Sequence, residues 1–262
     1  MNNLGQAAWV ELLKARRSKM PWLTLLAFAL APLAGGFFMF VFKDPVMARD
    51  LGLLGAKAQI VGGAADWPTY LGILAQAVAI GGFILFSLIA SWVFGREYAD
   101  QTISDLLALP TPRVTIVVAK FFLVVLWSAT LTAAIVLIGL GVGALLALPP
   151  AGAAVFLAAT ERLVVITALT VLLVTPVAFL ACAGRGYLPP MGAAILAVVL
   201  AQIVAAAGWG DYFPWAIPAL FSGAAGETRA ALGPLSFVLV LLVGVGGVAA
   251  TLAWWELADQ TA

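Results

Sequence analysis

The chain has 262 residues, of which 64% are hydrophobic and 10% charged, and its formal net charge is +1. A soluble domain carries about a quarter charged residues, so this composition excludes a water-covered globule and points to lipid as the main solvent. The near-zero balance gives no polyelectrolyte argument for nucleic acid, and the lack of histidine, with Cys182 as the one cysteine, excludes an intrachain disulfide, a His/Cys metal site and a Ser-His-Asp triad.

Residues 1–19 read as an interfacial helix. Trp9, Leu12 and Leu13 gather on one face, while Glu11, Lys14 and Ser18 follow helical spacing on another. Arg16 falls among the apolar residues, where its long stem lets the charge reach headgroups. The charged lead-in is too long, and the apolar run after it too complete, for a cleaved signal peptide.

About 20 apolar residues are needed to cross the hydrocarbon core. Six runs meet that length: Pro21 to Phe42, Tyr70 to Phe94, Lys120 to Leu148, Leu163 to Ala183, Leu188 to Ala207 and Leu232 to Trp255. Pro149 and Pro150 force the third run out of helix. An even number of spans puts both termini on one side, and Lys14, Arg16, Arg17 and Lys19 before the first span assign that side to the cytoplasm. Arg96, Arg113, Lys120 and Arg185 fall on the same side; Lys43, Arg49, Lys57, Arg162 and Arg229 weaken the contrast from outside. Aromatic belts are expected from Trp22, Trp92, Trp254 and Trp255 at the inner interface and from Trp67, Tyr70, Trp209 and Trp215 at the outer one.

No Asp, Glu, Lys or Arg falls in the middle third of any run, so the usual markers of proton relays and ion paths are missing. Span hydroxyls can bond a carbonyl one turn back. The amides of Gln76 and Gln202 cannot, and each should meet an interhelical partner or a cavity. Gly139 with Gly143, and Gly246 with Ala250, form small-residue pairs suited to close helix packing.

Residues 95–119 form the most informative loop. Asp100 to Leu109 predicts a short amphipathic helix with Ile103, Leu106 and Leu107 on one face, Thr102 and Asp105 at capping-box spacing, and Pro110 and Pro112 as its stop. The order F-G-R-E-Y from Phe94, A-D-x-T from Ala99, then L-L, L-P, an arginine and a lysine resembles the signature loop of ABC-2 type permeases. That resemblance implies a coupling helix docking on an ATPase, with Glu97, Asp100, Thr102, Asp105 and Arg113 as coupling residues. Gln101 stands where the family often has glycine. Residues 208–231 form an outer segment in which Pro214 and Pro218 prevent one long helix, while Trp215, Ile217, Leu220 and Phe221 are too apolar for a solvated loop. A re-entrant or interfacial pair of short helices reconciles these facts. Its Y-F-P-W-x-x-P core is similar to that of lantibiotic-immunity and bacitracin-type permeases.

The resemblance implies an all-α integral membrane chain with the ABC-2 (type V-like) exporter fold. One permease domain spans 1–262, set in a bacterial inner membrane among its lipids. It implies a homodimer with two copies of an ABC ATPase subunit; ATP and Mg belong to that partner, since no G-x-x-x-x-G-K-[ST] loop occurs here. The chain itself is then not an enzyme and needs no cofactor. Its substrate would be amphipathic or hydrophobic, such as a peptide antibiotic, drug or lipid. The path is expected along the dimer interface, lined by the second and fifth spans with Gln76, Phe83, Phe86 and Gln202. An ion-coupled secondary transporter or channel is the alternative, but the spans offer no charged coupling site; a lipid-acting enzyme lacks histidine and a mid-membrane carboxylate pair.

Overall fold

The computed structural model describes residues 3–44, 64–108, 110–224 and 232–257. Of the residues named above, Arg49, Lys57, Leu109, Arg229 and positions 225–231 of the outer segment lie outside the described residues, as does the side chain of Leu107. Helix α1 covers Asn3–Arg17, α2 Met20–Lys43, α3 Trp67–Ala77, α4 Phe83–Ala99, α5 Ile103–Leu107, α6 Arg113–Leu145, α7 Ala153–Ala183, α8 Leu188–Ala206, α9 Ile217–Phe221 and α10 Pro234–Leu257. A π-helical turn, Val78–Gly82, joins α3 to α4, so the second span is one rod from Trp67 to Ala99. Six helices among the described residues are long and apolar enough to cross a membrane: α2, α3–α4, α6, α7, α8 and α10.

Local chemistry sets the ends of these rods. The Asp66 carboxylate accepts the Thr69 N–H at 2.9 Å and caps α3, with Pro68 in the first turn where its missing donor costs nothing. Proline also opens α2 and α8. At the other ends, left-handed residues turn the chain. Gln101 has φ +56°, Ala147 +48° and Arg185 +50°. Each is followed by an N–H that reaches back to the carbonyl of the third-last helical residue: Thr102 to Glu97 at 2.9 Å, Leu148 to Gly143 at 3.2 Å and Gly186 to Ala181 at 3.2 Å. Gln101 thus occupies a position where glycine would be unstrained.

The second and fourth spans form the centre. The second is the most buried rod, with 56% of its apolar window enclosed, and the fifth the least, at 17%. Helix α10 runs along α7, α6 packs on α2 and α1, and α8 leans on α4 and α7. Close approach relies on glycine. A Cβ at Gly139 would lie 2.5 Å from Leu74 Cδ1, and one at Gly143 2.5 Å from the Trp67 ring, so this small-residue pair packs the third span onto the second within the chain. The Gly246–Ala250 expectation is corrected: Gly246 meets nothing within 4 Å, while its neighbours Gly244 and Gly247 press on Leu172 and Thr175 of α7. Pro176 leaves the Leu172 carbonyl without its usual donor; the Thr175 hydroxyl lies 2.9 Å from it and 2.7 Å from the Gly244 carbonyl.

The aromatic belts need correction too. Trp255 is fully buried, its indole N–H donating to Cys182 Sγ at 3.2 Å. Trp67 and Tyr70 are buried as well, and the Tyr70 hydroxyl donates to the Pro32 carbonyl at 2.9 Å. Trp22 and Trp209 remain exposed, as interfacial rings should be. Within the outer segment, two 3₁₀ turns, Gly210–Tyr212 and Pro214–Ala216, precede α9. Ile217 is fully buried, and α9 packs against both α7 and the π turn of the second span.

Candidate functional site

Helix α4 runs on past Phe94 to Ala99, so Gly95 and Glu97 are helical rather than part of a loop. The chain reverses at Gln101 and enters α5, which is shorter than the expected Asp100–Leu109 helix. Thr102 sits at the N-cap but makes no side-chain cap bond, so the capping box is not formed. Pro112 then precedes α6, whose first residue, Arg113, donates from Nη1 to the Trp255 carbonyl at 2.9 Å. That bond ties the start of the third span to the end of the sixth.

The five sequence-selected coupling residues therefore divide. Asp100, Thr102 and Asp105 are exposed around the head of α5. Arg113 is held by the sixth span, and Glu97 points inward, 2% exposed. Around Glu97 the structure gathers residues that sequence reading did not join. Its Oε1 lies 2.9 Å from Lys120 Nζ, 3.1 Å from Lys14 Nζ and 3.7 Å from Arg96 Nε. Lys120, fully buried, also donates to Glu11 Oε2 at 3.2 Å and to the Val93 carbonyl at 2.7 Å, which uses its three protons. Glu11 Oε1 accepts from Lys14 at 2.7 Å. Arg96 lies over the Trp92 ring, 4.7 Å from its centroid.

Three cations thus hold two carboxylates, and α1, α4 and α6 are locked at one point. Glu97 Oε2 is buried without a hydrogen-bond partner among the described residues. The sequence signal was present but faint: Lys120 opens a long uncharged run, and Glu11 and Lys14 share the polar face of α1. That face turns inward onto the bundle rather than outward to water. Beneath the same point, the turn after α7 closes on α4, since a Cβ at Gly95 would lie 3.0 Å from the Gly186 carbonyl oxygen. Burial, and after it the Asp100 carboxylate, push the Tyr187 phenol in this turn above its ordinary range. A crevice of about 210 Å³ separates α1 from α5, walled by Val10, Glu11, Leu106 and Ile116.

The four path candidates are not brought together by a single protomer. Phe83 and Phe86 are core residues, Phe86 meeting Phe28 edge-on at 5.9 Å. Gln76 is half-buried on α3. Gln202 is exposed on α8, beside a cavity of about 240 Å³ that Ala216 and Leu220 also line. A larger apolar groove, about 770 Å³, lies between α6 and α7 against Ala129, Ala133, Thr167 and Ala168, and sequence reading found none of it.

Comparison with known proteins agrees with this architecture. The family model described as ABC-2 family transporter protein matches residues 7–202. The bacitracin transport permease protein BCRB of Bacillus licheniformis is 28% identical over 183 residues, which cover 70% of this chain and 87% of that protein. The match runs from the lead-in helix through the locked end to the fifth span, and the chain is a multi-pass membrane protein of the ABC-2 transporter family, a permease whose family works with an ABC ATPase.

Proposed function

We propose that this chain is the membrane subunit of an ATP-driven exporter, assembled as two permease copies with two ATPase subunits in a bacterial cell membrane, both termini cytoplasmic. The observation that carries this reading is the construction of the α4–α5 end. Asp100, Thr102 and Asp105 are presented on the α4–α5 turn and the head of α5, whose root is fixed to α1 and α6 through Glu97 and Lys120. A push on α5 would move the second span as a rigid rod, because the ionic lock leaves it no independent play. Glu97 in this scheme holds the lever rather than touching the ATPase. Arg113 works likewise, through the sixth span.

The exposed Gln202 on the least buried span supports a dimer contact there, since an amide facing lipid is costly. Gln76 would be the second polar contact of the substrate path, and Phe83 and Phe86 would shape its inner wall from behind. The similar bacitracin permease favours an amphipathic peptide antibiotic as substrate. ATP and Mg stay on the partner. Charge reversal of both Asp100 and Asp105 to lysine tests the reading: co-purification with the cognate ATPase and ATP-dependent export from inverted vesicles should both fall, with membrane insertion unchanged. Unchanged complex and export, or transport driven by an ion gradient without ATP, would favour the ion-coupled alternative.

A further inference from the structure

Glu11, the one carboxylate of α1, is turned inward, and the outer surface of α1 is left with an unbalanced charge. Glu11 and Glu97 face Lys14, Lys120 and Arg96. Arg16, Arg17 and Lys19 are exposed and have no ion-pair partner among the described residues. At about 100° per residue, Gly5, Trp9, Leu12 and Arg16 form one stripe, opposite Lys14. The apolar part of that stripe forms a crevice of about 200 Å³ with α6, walled by Trp9, Leu12, Phe122 and Leu126. All four walls are exposed large hydrophobics, Trp9 and Phe122 each at 56%. A hydrocarbon slot therefore ends, within one helical turn, at an arginine that the protein leaves uncompensated.

We infer that the angle between α1 and the third span is a binding site for an anionic glycerophospholipid, with an acyl chain in the crevice and the phosphate on Arg16. The juxtaposition that carries it is the Gly5–Trp9–Leu12–Arg16 stripe facing Phe122 and Leu126. Charge complementarity selects the headgroup, and the apolar crevice selects a lipid over an acidic protein surface, which would not fill it. A cation near a helix C-terminus is favoured by the helix dipole whatever it faces, but that explains Arg17 equally and gives no reason for the slot beside Arg16. The bidentate geometry of a guanidinium suits a phosphate. The bound lipid would brace α1 from outside, as the ionic lock braces it from inside. This site rests on the reading that α1 lies at the membrane surface.

The test uses the full chain in nanodiscs, with a bimane label at Gly5→Cys in a Cys182→Ser background. Gly5 is exposed at the edge of the crevice, and a Cβ there meets nothing within 4 Å. Brominated phosphatidylglycerol and brominated phosphatidylcholine are compared as quenchers at equal bilayer fraction. The anionic phosphatidylglycerol should be preferred, and Arg16→Gln should lower that preference about five-fold while leaving quenching by phosphatidylcholine unchanged. Equal quenching by both lipids with Arg16 intact would reduce the site to bulk contact and overturn the inference. Absence of quenching by either lipid would instead overturn the interfacial placement of α1, and the site with it. Should Arg16→Gln weaken ATPase binding in lipid-free detergent and leave lipid preference untouched, the turn belongs to the ATPase and the lipid site is wrong.

Discussion

The two ends of the bundle are held by different forces. At the α1 end, five ionised groups from three helices meet in a buried cluster, and Arg113 adds a bond from the third span to the sixth. At the far end, several of the fastenings among the described residues are neutral or peripheral. Trp67 packs edge-on against Phe156 at 5.1 Å, Tyr70 bonds the Pro32 carbonyl, Ser236 bonds the Asp211 carbonyl at 2.8 Å, and Lys43 reaches the Leu146 carbonyl at 3.0 Å from an exposed position. Paired buried charges have a narrow geometry, because each must keep its partners or face the full cost of desolvation. Aromatic and glycine contacts can slide with small losses. On the function proposed above, transmitting a push at one end and opening at the other would be served by this division.

The largest effect should come from breaking the cluster asymmetrically. Lys120→Met leaves Glu97 buried with Lys14 at 3.1 Å and Arg96 at 3.7 Å, and should cost about 3–5 kcal/mol, read as a lowered unfolding temperature of the purified permease. Adding Glu97→Gln removes the stranded charge and should recover most of that loss, since Lys14 still pairs with Glu11. Equal destabilisation of the single and double variants would mean that packing, not charge balance, holds this end.

At the far end the corresponding cut is steric. Gly143→Ala drives a methyl into the Trp67 ring and should cost about 1–3 kcal/mol, because the whole indole must shift. Gly141 lies one residue pair away with nothing within 4 Å, so Gly141→Ala should be neutral or stabilise by about 0.5–1 kcal/mol through helix propensity. Similar thermal stability for the two variants would remove the argument that α6 docks on α3 through Gly143.

The six spans were legible because length and apolarity alone select them, and the structure shifts their ends by only a few residues, except the third and fourth. Those begin at Arg113 and Ala153 rather than near Lys120 and Leu163, since the helices continue through the polar residues that flank the apolar runs. The inward polar face of α1 was not legible. Glu11 and Lys120 are 109 residues apart, and no local pattern reports such a pairing. The belts failed at Trp255, Trp67 and Tyr70 for a related reason: a ring near a span end can face lipid or the bundle, and periodicity over one turn does not separate the two. The π turn at Val78–Gly82 is likewise invisible in composition, although the Gly81–Gly82 pair within it tolerates that backbone. Of the five residues that the resemblance selects for coupling, the sequence could not tell the exposed Asp100, Thr102 and Asp105 from the buried Glu97.

The smallest predicted effect separates the two ends most cleanly. Gln101 and Ala147 occupy the same left-handed position after helices at opposite ends, and each side chain costs about 1 kcal/mol there relative to glycine. Glycine relieves that strain but adds freedom to the unfolded chain, so Gln101→Gly and Ala147→Gly should each stabilise by no more than about 1 kcal/mol. Their functional consequences should differ. Ala147 lies beyond the third span at the sliding end, where a freer joint changes nothing that transmits force, so export per ATP hydrolysed should stay at the parental value. Gln101 is the joint between α4 and α5, and a glycine there lets α5 swing without carrying the second span along. Gln101→Gly should therefore keep ATPase binding and hydrolysis but lower export per ATP, a split that simple loss of folding cannot produce. If both variants transport with parental efficiency, the joint at Gln101 is not a rigid element, and the push must enter the membrane through α1 alone.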